Sequence, residues 1–230
     1  MSEAGITVVI PAYNEGQNIK DTVISLSLEP EVCEIIVIDD ASEDDTSLQA
    51  QAAGARVIRL GQNVGKGKAV MAAFPFIKNG VVMLLDADLK GTARFALALA
   101  QPILENMADL AVAQFPTGQG GQGFGLVKKF SRLVTRVITG KNLAAPLSGQ
   151  RCMKKKVLHD LFPLADRFGL EVGMNIDALR KGYRIIEVET PLCHCPPGRD
   201  WYGFMHRGAQ FWNICQVLTS RAFLRKVTRQ

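Results

Sequence analysis

Residues 81–88 read VVMLLDAD. Five apolar residues in a row, with no polar alternation, describe a strand covered on both faces. Such strands belong to mostly parallel sheets with helices packed on each side. The run stops on two aspartates separated by one alanine, Asp86 and Asp88. Moving outward, ITVVIP at 6–11 and EIIVI at 34–38 are further buried-strand runs, ARVIRL at 55–60 alternates, and LAVAQF at 110–115 is a fifth strand. Helical spacing lies between them. Ile19, Val23 and Leu26 form one stripe over 18–28, Ser42 and Asp45 have capping-box spacing for a helix over about 43–54, and 65–77 reads as a third helix. Strands alternating with helices of this length predict an α/β fold with a mostly parallel, Rossmann-like sheet flanked by helices. Ligands of such sheets sit outside the carboxyl ends of the strands. Three polar clusters fall at those ends: Tyr13-Asn14-Glu15, Asp39-Asp40 and Asp86-Ala87-Asp88.

The chain has 230 residues, 47% hydrophobic and 21% charged, which excludes a disordered chain and supplies a core without disulfides or structural metal. The cysteines, Cys33, Cys152, Cys193, Cys195 and Cys215, are odd in number and sparse, which reads as reduced thiols and a cytosolic home. The first 15 residues have neither a basic segment nor a long apolar one, so no signal peptide is expected, and no run of about 18 apolar residues predicts a membrane span.

Charge divides the chain. Residues 1–120 hold 8 Lys and Arg against 15 Asp and Glu, a net of −7, whereas 121–230 hold 19 against 7, a net of +12. A basic second half suits an anionic partner such as a phosphorylated small molecule or a membrane surface. The acidic first half argues against nucleic acid. The boundary divides an α/β half, 1–115, from a second half, 116–230, with a glycine-rich loop at 116–125, an amphipathic basic helix at 126–138, a turn-rich connection at 142–151, a helix then a strand over 167–189, and an aromatic, Arg-rich helix at 204–226.

Two carboxylates at i and i+2 after a strand can face one divalent cation, and hard oxygen ligands suit Mg²⁺ or Mn²⁺. A turn with two solvated aspartates is the bland alternative, and the apolar strand before them favours the site. Asp39 and Asp40 read either as caps for the helix that follows or as acceptors for a nucleobase or ribose. Gly65-Lys66-Gly67-Lys68 is not a Walker A loop, because no Ser or Thr follows the lysine, yet glycines at a helix start leave N–H groups for an anion. Gly118, Gly120 and Gly123 satisfy GxGxxG, but they follow the fifth strand, with no acid before Asp160, so a dinucleotide is not expected. Cys193-His194-Cys195 lacks a second pair at zinc spacing, and His194 alone could complete a divalent-cation site. Arg221, Arg225, Lys226 and Arg229, with Phe211, Trp212 and Phe223, form a basic aromatic tail that fits either a solvated helix or an anionic membrane.

VVIPAYNE, IDDASEDDT, NVGKGKA and DADL, in this order, resemble the family 2 glycosyltransferases with the GT-A fold. PLSGQ at 146–150, FGLEVGMNID at 168–177 and the His loop at 191–199 are similar to the glucosyl-3-phosphoglycerate synthases. The resemblance implies a single GT-A domain whose second half is an acceptor-side helical extension. It implies a hexosyltransferase using a nucleotide-diphospho-sugar, UDP-linked, and a phosphorylated acceptor. Pro11, Ala12, Tyr13, Glu15, Asp39 and Asp40 match nucleotide-holding positions, Lys66 the donor-contacting lysine, and Asp86 a position near ribose and sugar. Asp88 and His194 match the ligands of Mg²⁺ or Mn²⁺, and Glu171 the acid near the sugar hydroxyls. Asp88, Glu171 and Lys66 are the expected catalytic set. With a hydroxyl acceptor and inversion, Glu171 or Asp177 would be the base. The chain departs from the synthases at Phe124, where they carry an arginine, and at Leu192, Cys195 and Pro196 around the histidine. Gly123, Lys128, Arg151 and Arg199 are then the expected acceptor-binding residues, with Lys129 close by. Polyprenyl phosphate at the inner membrane face is the rival acceptor, and a non-catalytic sugar-nucleotide-binding protein the rival function. Peripheral membrane contact and a homodimer are compatible with this reading.

Overall fold

The computed structural model describes residues 5–115, 125–165 and 169–193. β1 (Ile6–Ala12), α1 (Ile19–Ser27), β2 (Val32–Asp39), α2 (Thr46–Ala52), β3 (Arg56–Arg59), α3 (Lys66–Ala73) and β4 (Val81–Leu84) follow in strict alternation. A 3₁₀ segment (Lys90–Leu99), α4 (Gln101–Leu104), β5 (Leu110–Gln114), α5 (Gly125–Thr139), β6 (Arg151–Lys154), α6 (Lys155–Asp160), α7 (Leu170–Arg180) and β7 (Ile185–Glu189) complete it. The seven strands form one sheet in the order β3-β2-β1-β4-β6-β5-β7. Only β6 runs antiparallel to its neighbours. Because β6 inserts between β4 and β5, the acidic and basic halves share a single sheet.

The apolar runs are continuous because both faces are covered. Val8, Ile10, Met83 and Leu85 join α1 and the 3₁₀ segment in one core layer, with Ile19, Val23, Leu26 and Leu99. Val9, Val82 and Leu84 point the other way, with Val70 of α3, Leu158 of α6 and Leu170 of α7. Successive strand residues thus feed opposite layers.

Two expectations need correction. The connection assigned to 142–151 ends in a strand, β6, followed by α6. Its sequence RCMK hides it, because the first residue is a buried arginine and the strand is four residues long. The capping box at Ser42 does not form. The helix starts at Thr46, and the Ser42 hydroxyl instead accepts the N–H of Asn14 at 2.9 Å.

Ile10 is fully buried, whereas Leu28 at the end of α1 is 77% exposed. Ile10→Ala is expected to lower the unfolding free energy by about 2–5 kcal/mol and Leu28→Ala by less than about 0.5 kcal/mol. Urea denaturation of the two variants measures both.

Candidate active site

The carboxyl ends of β1, β2 and β4 share one edge, and the antiparallel β6 brings its first residue to that edge by pairing Arg151 with Leu84. Two loops there brace each other. The N–H groups of Asn14, Glu15 and Gly16 donate to Ser42 Oγ (2.9 Å), Thr46 Oγ1 (2.8 Å) and Asp44 Oδ2 (2.9 Å). Asn14 Oδ1 accepts the N–H of Glu43 at 2.8 Å. This cross-brace holds the loop that carries Tyr13, a residue 43% exposed at the tip. Pro11 and Ala12 form the end of β1 beneath it.

Asp39 and Asp40 have mainly local partners. Asp39 is fully buried and accepts the Ser42 N–H at 2.8 Å and the Ser47 hydroxyl. Burial works against its charge, but these hydrogen bonds and Arg59 outweigh it and hold the carboxyl below the usual range. Asp40 receives the N–H groups of Val64 and Gly65, both at 2.8 Å. The expectation of free N–H groups at the GKGK turn is therefore corrected at Gly65, whose N–H already meets an internal carboxylate. Gly65 has φ +87°, the left-handed region that suits glycine, and starts α3 with Lys66 as its first residue.

The Lys66 ammonium lies 2.6 Å from Asp86 Oδ1 and 3.1 Å from Glu171 Oε1. Burial works against its charge, but Asp86 and then Glu171 hold its pKa above the ordinary lysine value. Gln150 grips Asp86 twice. Its Nε2 donates to Asp86 Oδ2 at 2.6 Å, and its Oε1 accepts the Asp86 N–H at 2.9 Å. Gly149 adjoins this pair, where a Cβ would come within 2.8 Å of Lys66 Nζ and 2.9 Å of Asp86 Oδ2. Across the space, burial raises the Glu15 carboxyl. A 2.8 Å hydrogen bond from Asn18 opposes the rise, and Asp88 and then Asp86 add to it. Glu15, Asp86 and Asp88 therefore feel one another's charge.

Arg151 is a correction. Expected to meet an acceptor anion, it is 1% exposed. Its Nε donates to Ser148 O at 3.0 Å, one terminal nitrogen to Asn175 Oδ1 at 2.8 Å and the other to the Glu171 carbonyl at 3.0 Å. Burial lowers its pKa to about 10, with Glu171 and Asp86 opposing, so it stays charged at neutral pH. Asp177 follows Glu171 by six residues on α7, about 9 Å along the axis and off its face, so the two are not interchangeable as bases. Gly123, His194 and Arg199 lie outside the described residues. Lys128 belongs to α5, the basic helix predicted at 126–138, which packs against α7. Gln150, Gly149 and Asn175 were not singled out by sequence, although PLSGQ and FGLEVGMNID contain them. The signal was a polar pair, Gln150-Arg151, opening a strand.

Among the described residues, no three His, Cys, Asp or Glu side chains converge to hold a metal ion by themselves. The donor chemistry nevertheless fits Mg²⁺ or Mn²⁺. These ions are commonly held by one or two carboxylates plus substrate phosphates. At this edge Asp88 is the second carboxylate of the pair, while the Asp86 oxygens accept from Lys66 and Gln150.

A mostly parallel sheet with acidic strand tips and a lysine anchored among them is the architecture of nucleotide-diphospho-sugar transferases of the GT-A type. The chain belongs to glycosyl transferase family 2, whose family model matches residues 7–162. It is 29% identical to glycosyltransferase AglJ of Haloferax volcanii over 85% of this chain and 65% of the relative. Identity to glucosyl-3-phosphoglycerate synthase of Mycobacterium tuberculosis is 31%, over 75% of this chain and 60% of the relative. An undecaprenyl-phosphate 4-deoxy-4-formamido-L-arabinose transferase of Edwardsiella ictaluri is 27% identical over 94% of this chain and 68% of the relative. The chain thus spans about three fifths to two thirds of the length of these relatives. The crystal structure of the Mycobacterium tuberculosis synthase with Mn²⁺, uridine diphosphate and glucosyl-3-phosphoglycerate matches with TM-score 0.80 and 26% identity, covering 95% of this chain and 80% of that one.

The depressed Asp39 pKa has a stability consequence. A carboxyl with a folded pKa below its unfolded value adds stability above the unfolded value, and loses it as the pH falls through the folded one. Urea midpoints of the wild type and Asp39→Asn are expected to differ at neutral pH and to converge as the pH drops below 3.8, the ordinary aspartate value. A gap that persists at pH 2 would assign the difference to packing.

Proposed function

We propose that the chain is a divalent-metal-dependent glycosyltransferase that moves a hexose from a UDP-sugar to a phosphorylated acceptor. The observation that carries this reading is the Lys66 ammonium, held charged between Asp86 and Glu171 on the strand edge that also bears Asp88. A fixed cation there meets the charge that develops on a departing diphosphate without reorganising at the moment of reaction. Tyr13 offers the nucleobase a flat apolar face, with Pro11, Ala12 and Glu15 beside it. Asp86 and Glu171 accept hydrogen bonds from ribose and sugar hydroxyls, which orients the anomeric carbon.

Asp88, with His194, is the set that would hold Mg²⁺ or Mn²⁺. When bound, the cation neutralises diphosphate charge as a Lewis acid. Site charge favours such a partner. Glu15, Asp86, Asp88 and Glu171 outnumber Lys66 and Arg151, so an uncompensated diphosphate would enter an acid-rich site. The synthase structure holding Mn²⁺ and uridine diphosphate supports the same donor and metal for this chain.

The similarity to a synthase complexed with phosphoglyceric acid, TM-score 0.81 over 95% of the chain, favours a small phosphorylated acceptor. A lipid phosphate is the second reading. It rests on the undecaprenyl-phosphate transferase match and on α5, where Lys129, Leu133, Arg136 and Val137 are all exposed. No helix among the described residues is long and apolar enough to cross a membrane, and in this reading the exposed side of α5 meets the membrane surface. A phosphate acceptor is already ionised and needs no base. With a hydroxyl acceptor, the departing phosphate or Glu171 takes the proton.

Nucleotide release from a panel of UDP-sugars with Mn²⁺, with 3-phosphoglycerate or a short polyprenyl phosphate added, tests the proposal. Acceptor-stimulated release is expected, abolished by chelation and lowered about 10²–10³-fold by Asp88→Ala or Lys66→Ala. Release that survives both substitutions would sink it, as would uridine diphosphate and Mn²⁺ binding unaffected by Asp88→Ala.

A further inference from the structure

We infer that Gln150 and Arg151 are the positioning residues of this site, jointly setting where the Lys66 ammonium sits. The inference rests on the glycosyltransferase reading for its kinetic test and on geometry for its structural one. Successive residues at the start of a strand point to opposite faces. Cys152 and Met153 mark the two faces here, one in each core layer. Gln150, on the Cys152 side, faces Asp86 and fixes its carboxylate through the paired contacts at 2.6 and 2.9 Å. Arg151, on the Met153 side, reaches α7 and fixes Glu171 by its carbonyl, 3.0 Å away. Asn175, one turn further along α7, accepts from Arg151 and donates to Pro146 O at 2.9 Å, which ties the helix to the loop before β6.

The contacts close into a ring. Gln150 holds Asp86, Asp86 holds Lys66, Lys66 holds Glu171, and Arg151 holds the residue that carries that last carboxylate. One peptide bond joins the two ends. Both residues are fully buried, so neither offers a surface for a ligand. The route from them to the reaction that the geometry shows runs through Asp86, Glu171 and Lys66. Lys66 also leaves little room for error, since Gly149 stands where any side chain would press on it.

The experiment is a double-mutant cycle. Wild type, Gln150→Met, Lys66→Ala and the double variant are compared for kcat and donor KM with Mn²⁺ and UDP-glucose, or another UDP-sugar that the wild type turns over. Methionine keeps the volume and removes both hydrogen bonds. Gln150→Met is expected to lower kcat about 10–100-fold with donor KM within about threefold. In the Lys66→Ala background it is expected to change kcat by less than about twofold, because the group it positions is gone. A kcat loss of equal size in both backgrounds overturns the inference, as does an unchanged kcat. Arg151→Lys, which keeps the charge but loses the three-way fork, is read in the same cycle with the same expectation. If Gln150→Met fails to fold, Gln150→Asn replaces it, keeping the amide and shortening its reach. A crystal structure of the Gln150 variant decides independently of activity. Lys66 Nζ moved beyond about 4 Å from Asp86 supports the inference, and Lys66 contacts to both carboxylates unchanged from wild type overturn it. A wild type that turns over no UDP-sugar would defeat the proposed function, and the crystallographic result would still decide this one.

Discussion

The site depends on one cation placed between two carboxylates that are far apart in sequence. Lys66 meets Asp86 across 20 residues and Glu171 across 105. Each partner is delivered by a different element: α3 starts at Lys66, Asp86 follows β4, and Glu171 lies in the first turn of α7. Packing of α3 and α7 in the same core layer is what allows the three to meet. The side chain of Lys66 is 30% exposed, so screening reduces the contribution below the roughly 3–5 kcal/mol lost when a fully buried pair is broken. The contacts therefore matter more for where the charge points than for holding the fold together.

Rigidity around this cation comes from polar groups turned inward. Asp39, Asp40, Asp44, Ser42 and Thr46 occupy the strand edge where ligands of α/β sheets bind, yet they contact backbone N–H groups, one another and, for Asp39, Ser47 and Arg59. A loop at such an edge would be free to move if its N–H groups faced water. Here the N–H groups of residues 14–16 are tied to the neighbouring loop, which lowers the number of arrangements open to Tyr13 and Glu15. Part of what reads as a ligand-binding cluster in the sequence thus also serves as a scaffold that steadies the loop carrying Tyr13 and Glu15.

That distinction explains what the sequence disclosed and what it hid. β1, β2 and β4 were legible because burial on both faces leaves an unbroken apolar record, as in VVMLL, and β3, a partly exposed strand, was legible by its alternation. The acidic tips were legible by position. Their division of labour was not, since Asp39 and Asp88 are the same residue type after the same kind of strand. Only tertiary contact separates the buried one from the half-buried one. Arg151 misled for a related reason. Arginine is seldom fully buried, so in a basic half it reads as an anion contact, and the carbonyls of Ser148 and Glu171 that satisfy it come from a loop and a helix whose meeting no local pattern records. β6 was lost with it.

The buried arginine also bears on the charge division along the chain. The acidic half supplies the strand tips, and the basic half supplies the cation beneath them, so charges separated in sequence are interleaved in the sheet by the insertion of β6 between β4 and β5. Burial lowers the Arg151 pKa to about 10, and the nearby carboxylates of Glu171 and Asp86 oppose the fall, so the guanidinium keeps its proton at neutral pH. Within this cluster only Arg151 is fully buried, while Lys66 and Asp86 keep 30% and 27% of their side-chain surface in water. An acid-rich edge built this way opposes an uncompensated diphosphate, which is the electrostatic ground for pairing the proposed donor with a divalent cation.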